Sequence, residues 1–228
     1  MSTRIGARAG AVLLLAALSL AAAPAPPQPE EIPLSPAQIL LFETPHLQAI
    51  DHPVLLDYAF HREGPGALDD QITERIDEIH PDGTKHVSVN FLSGDHHEFF
   101  PAVDNFHGNP LLMFFLEHDV LQMRAQFGIP AAYFRDRVRA AFIDRAPIED
   151  VSITIDGKPA PARRITMRPF ADDARFANLP AVRNKTYIFV LVDALPGMLQ
   201  DLRTDMPADP SVNAPALSEE ILFKGERP

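Results

Sequence analysis

Apolar and polar residues alternate from Val54 to Arg62, with Leu56, Tyr58 and Phe60 on one side and Asp57, Ala59 and His61 on the other. A period of two marks a strand with one buried face. The same alternation returns from His86 to Leu92 through Val87, Val89 and Phe91, directly after the turn signal Pro81-Asp82-Gly83. Ile72, Ile76 and Ile79 also fit one face of a helix, but the turn and the strand beyond it place Ile72 to His80 in a hairpin. Ser93-Gly94-Asp95 predicts a further turn, and His96 to Phe100 a short strand after it.

The pattern changes at Asn109. That residue is a good N-cap, Pro110 suits the first helical position, and no breaker follows until Gly128. Leu111 to Phe127 is therefore predicted as a helix. Its first half is apolar on almost every side, which is the pattern of a buried helix rather than an amphipathic one. Ala131 to Arg145 predicts a second helix with Phe134, Val138, Ala141 and Phe142 on its apolar face. Strands resume with Val151 to Ile155 and Arg164 to Phe170 around Asp156-Gly157, then the continuous apolar run Tyr187 to Val192. Leu195-Pro196-Gly197 turns the chain so that Met198 to Arg203 pairs back.

Hairpin-linked strands on either side of two consecutive helices define an α+β protein. The expected architecture is a curved antiparallel sheet packed around two central helices. The strand–helix–strand order resembles, at the level of fold, the curved half-barrels of lipoprotein carriers of the bacterial envelope. No sequence motif assigns the chain to a family.

The two ends read differently. Residues 1–23 carry Arg4 and Arg8, then the apolar run Ala11 to Leu20 and a string of alanines, which predicts a secretory signal peptide. Residues 24–45 read as a Pro-rich, extended segment, residues 46–206 as a single α+β domain, and residues 207–228 as an irregular tail. A soluble product in the periplasm or outside the cell is expected, with no transmembrane segment once the leader is cleaved.

Composition narrows the function classes. The 228 residues hold no cysteine, which removes thiol nucleophiles, thiolate metal sites and disulfides together. The net charge of −11 argues against a nucleic-acid partner, which needs a concentrated basic face. No phosphate-binding glycine loop and no GxSxG setting for a serine nucleophile occur.

Histidine is unevenly spread: all nine lie between His46 and His118. Imidazole is the usual side-chain ligand for Zn and Cu, so His80 and His86, flanking the Pro81-Asp82-Gly83 turn, and the pair His96 and His97 are the candidate metal ligands. Glu117-His118-Asp119 interrupts the apolar helix, but its two carboxylates diverge around the helix axis; the helix is expected to have one wet face in its second half, at Glu117 and Arg124, with a polar cluster at the mouth of a cavity as the functional alternative. Arg135, Arg137, Arg139, Arg145, Arg163, Arg164 and Arg168 form the main basic concentration, expected to pair with neighbouring acids on the surface. Aromatic residues make the remaining candidate. Phe114 and Phe115 on the helix, facing Tyr58, Phe60, Phe91 and Phe189 on strands, line either an apolar pocket or a filled core. The leading expectation is a non-enzymatic binding protein for an apolar small molecule or an envelope protein, with its pocket between the Leu111 helix and the concave sheet. The alternative is a His-dependent metal-binding protein or metalloenzyme.

Overall fold

The computed structural model describes residues 33–228. The predicted leader and the first part of the Pro-rich segment lie outside the described residues. Among the described residues nine strands form one antiparallel sheet in the order β4-β3-β2-β1-β9-β8-β7-β6-β5. It is curved and not closed, so β4 and β5 remain as edges.

Four strands precede the two long helices: β1 (Val54–Glu63), β2 (Leu68–Ile79), β3 (Lys85–Phe91) and the two-residue β4 (Val103–Asp104). Along β1 the buried residues Leu56, Tyr58 and Phe60 alternate with less buried ones, as the polar pattern requires. The segment expected as strand His96 to Phe100 is instead a single 3-10 turn, Gly94–His96, followed by one isolated bridge between Phe91 and Glu98. Gly94 and Leu92 adopt positive φ there, which breaks the extended run before pairing can propagate.

The sequence from Ser35 is not extended. Ser35 forms a capping box with Gln38, its backbone N–H donating to Gln38 Oε1 at 2.9 Å and its Oγ accepting from Gln38 N at 3.2 Å. This starts α1 (Pro36–Gln38), which continues as one π-helical turn, Ile39–Glu43, burying Leu40 and Leu41. Ser35 Oγ also donates to Phe142 O at 2.6 Å, fastening this segment to the second long helix.

The long helices are α2 (Pro110–Phe127) and α3 (Ala131–Asp144). Asn109 Oδ1 accepts from Leu111 N at 2.9 Å at the start of α2, and Gly128 closes it in the left-handed conformation, φ 65°. Both helices reach the sheet at β7: the Phe189 ring centroid lies 6.3 Å from that of Phe115 and 5.7 Å from that of Phe142. The chain then runs through β5 (Ile148–Ile155), β6 (Lys158–Met167), α4 (Pro180–Arg183), β7 (Thr186–Leu191) and β8 (Leu199–Met206).

Residues 207–228, expected as a tail, carry β9 (Leu217–Arg227). It pairs with β1 on one side and β8 on the other, and is the strand that joins the two meanders into one sheet. Its inward positions Glu219 and Ile221 are buried, so the folded domain extends well beyond residue 206, and beyond residue 46 on the other side through α1.

Candidate binding groove

Register across the sheet sets the site. Tyr187 pairs with Thr204, Thr204 with Glu219, and Glu219 with Arg62. These four side chains form a polar row on the face toward α2, next to an apolar row of Ile165, Phe189, Leu202, Ile221 and Phe60. From above, α2 supplies His118 and Asp119, both almost fully buried. Glu117 and Arg124 lie on the outer side of the helix, as expected, while His118 and Asp119 point into the protein.

Two ionic clusters result. In the first, His118 Nδ1 lies 2.8 Å from Glu98 Oε1, and Nε2 lies 3.4 Å from Glu219 Oε2. Arg62 Nε donates to Glu219 Oε1 at 2.5 Å, and the Gln122 amide donates to both Glu219 oxygens at 2.9 and 3.1 Å. Burial alone would lower the His118 pKa, but hydrogen bonding and charge from Glu219 and Glu98 hold it up at about 9. Burial would raise Glu219, but His118, Gln122 and Arg62 bring it down to about 2. The imidazolium sits between aromatic rings, with the Phe91 centroid at 5.0 Å and Phe60 at 5.9 Å. In the second cluster Asp119 receives both the Lys185 ammonium and the Tyr187 hydroxyl. Burial and the Asp119 charge push the Tyr187 pKa well above its ordinary value.

A third polar group lies under the start of α2. Glu74 on β2 is fully buried; its Oε2 accepts from Asn109 Nδ2 at 3.0 Å and from Tyr58 OH at 3.4 Å, while Oε1 has no partner among the described residues. Asn109 is held in this orientation because its own carbonyl caps Leu111, and its amide also reaches Gly197 O at 3.2 Å. Burial raises Glu74 to about 7 despite the two hydrogen bonds.

The six aromatic candidates, Tyr58, Phe60, Phe91, Phe114, Phe115 and Phe189, are all buried in one contiguous core with α2 and α3. They fill the space in which the pocket was expected. The apolar groove opens elsewhere, on the outer side of the helical layer between the π-turn, α2 and α3. It has a volume of about 310 Å³, and Phe42, Met113, Leu116, Val120, Val138 and Phe142 line it. None of the six core aromatics lines it. Its polar lining is Gln38, Arg139 and the pair Glu117–Arg135, in which Arg135 Nε donates to Glu117 Oε2 at 2.8 Å. Beside it Ile39, Met113 and Ile143 are among the most exposed large apolar side chains among the described residues.

The candidate metal ligands are not brought together. His80 lies beside Glu78 at 3.4 Å, His86 beside Asp104 at 2.8 Å, His97 Nδ1 faces Leu92 O at 3.4 Å, and His96 ends the exposed 3-10 turn. Among the described residues no group of three or more His, Asp or Glu side chains is placed to hold a metal ion. Six of the seven arginines, all but Arg168, pair with acids among the described residues, partly with those expected (Arg139 with Asp136, Arg164 with Glu149) and partly with distant ones (Arg137 with Asp173, Arg163 with Asp193).

No family model and no curated protein matches the chain. Among solved structures it is similar to the Mycobacterium tuberculosis lipoprotein LppX, at 9% sequence identity over 75% of this chain and 84% of that one, with a TM-score of 0.29. The functional reading therefore rests on the chain's own residues. Among the described residues no helix is long and apolar enough to cross a membrane.

Proposed function

We propose that this is an exported, non-enzymatic binding protein that takes an apolar small molecule in the groove between the π-turn, α2 and α3. The curved sheet, with α2 and α3 laid along it, serves as the rigid frame for that surface, and residues 1–23 serve as the export signal. The observation that carries the reading is the groove itself. Its size lies at the lower end of the range for small-molecule sites, and its walls are apolar with polar groups only around them. The ionic clusters support a structural role: His118, Glu219 and Asp119 are buried and matched with counter-charges. A protein partner would need a wider continuous apolar patch than one groove and its neighbouring side chains.

Titration with the neutral dye N-phenyl-1-naphthylamine tests it. Saturable binding at one site is expected, weakened about tenfold by Met113→Glu, which introduces a charge at a half-exposed lining position without entering the core. Absence of saturation, or full retention of binding in Met113→Glu, removes the proposal.

A further inference from the structure

Among the described residues Lys85 is a buried lysine with no carboxylate partner. It opens β3 on the inward face, shared with Val87, Val89 and Phe91, and the whole residue is only 8% exposed. Its ammonium donates to one backbone carbonyl, Gly83 O, at 3.1 Å. Among the described residues no carboxylate lies within 4.0 Å of it, whereas the other buried lysine, Lys185, is bound directly by Asp119. The stem of the side chain is packed against the sheet while its ammonium has one carbonyl for a partner, which leaves hydrogen-bonding capacity and a positive charge for an anion.

The side chain lines a groove of about 340 Å³ that is separate from the apolar groove on the helical layer. Three segments converge on it: residues 45–48 after the π-turn, the β2–β3 turn, and residues 105–107 ahead of α2. Gln48, Asn105 and His107 add polar groups around Lys85, and Leu47, Val87 and Phe106 add apolar wall. The carboxylate in the lining, Asp82, is engaged within its own turn, accepting from Thr84 N at 3.0 Å and Thr84 Oγ1 at 2.7 Å. The loop is seated closely: a Cβ on Gly108 would stand 2.9 Å from Leu41 O, so only glycine lets residues 105–108 lie against the π-turn.

We infer that this groove binds a small organic monocarboxylate, its head group on the Lys85 ammonium and its apolar body against Leu47, Val87 and Phe106. One lysine matches one negative charge, and a carboxylate accepts from Lys85 and the neighbouring amides together. The site is independent of the apolar groove and stands whether or not that groove binds a ligand.

Calorimetric titration with hexanoate and with its uncharged counterpart hexanamide tests it, with 1H–15N shifts to locate the contact. Hexanoate is expected to bind at least about tenfold more tightly than hexanamide and to shift the amides of Gln48, Lys85, Asn105 and His107. Lys85→Met should abolish the preference and Lys85→Arg should keep it. Because a buried substitution can disturb folding, Phe106→Asp provides the second variant. Phe106 is 37% exposed, and a carboxylate there repels the ligand from the rim, so the preference should again be lost. Equal affinity for the two probes, an unchanged preference in either Lys85→Met or Phe106→Asp, or shifts confined to the groove around Met113 would overturn the inference.

Discussion

Replacing Glu74 by glutamine isolates the energetic effect of one buried carboxyl. In the fold its pKa is about 7, against 4.5 for the ordinary side chain, because burial disfavours the anion more than Asn109 and Tyr58 stabilise it. The sign follows from proton counting. Between pH 4.5 and 7 the unfolded chain has released this proton while the folded one still holds it, so stability falls as pH rises through that window. At about 1.4 kcal/mol per pH unit of separation, the full loss above pH 7 is about 3 kcal/mol. Glutamine has nearly the same shape, can accept the Asn109 hydrogen bond, and does not titrate. Glu74→Gln should therefore match the parent near pH 4.5 and exceed it by up to about 3 kcal/mol at pH 8. Urea unfolding of both proteins at several pH values measures this. Taking the difference between them cancels His118, Glu219 and the other titrating groups, which the two share. A difference that stays constant from pH 4.5 to 8 would refute the account of Glu74 as a neutral acid held under the first turn of α2.

His118 should remain an imidazolium at neutral pH, its stabilising effect complete below about 6.5 and lost as pH rises through about 9. Imidazole 15N shifts report this directly, and a midpoint near 6.5 would contradict the ion pairs with Glu98 and Glu219. Removing residues 217–228 should abolish cooperative unfolding, because it bares the edges of β1 and β8 and strips Glu219 from both His118 and Arg62. Circular dichroism melting reads the outcome, and a sharp transition within a few degrees of the parent would show that β9 is dispensable.

Much of the secondary structure was legible because local rules and tertiary context agree there. Leu56, Tyr58 and Phe60 alternate and are buried in alternation; Asn109, Pro110 and Gly128 mark the ends of α2 where its hydrogen bonds begin and stop. What stayed hidden is polar. Glu219 occupies a core position of β9, so Leu217 to Arg227 lacks the apolar alternation of a central strand, and Thr204 and Arg62 depart from the pattern for the same reason. Their charges are matched across strands and by α2, from residues about 100 or more positions apart, which no local window contains. The roles of His118 and Asp119 stayed hidden on the same grounds, since their partners Glu219, Lys185 and Tyr187 lie far along the chain. The core aromatics were identified by residue, but whether they line space or fill it depends on how closely α2 and α3 approach the sheet. The outer groove was out of reach because one wall is a π-turn raised from a Pro-rich stretch, made helical by the Ser35–Gln38 box and its bond to Phe142.

The position of β9 has a temporal consequence. Leu55 meets Arg227 across the seam, a contact between chain positions almost as distant as the molecule allows, and contacts of that kind form late and slowly. Until residue 227 has been synthesised, the N-terminal and C-terminal meanders are two incomplete sheets, each with a bare edge beside β1 or β8. Such a polypeptide stays pliable while it is being made and locks only when whole.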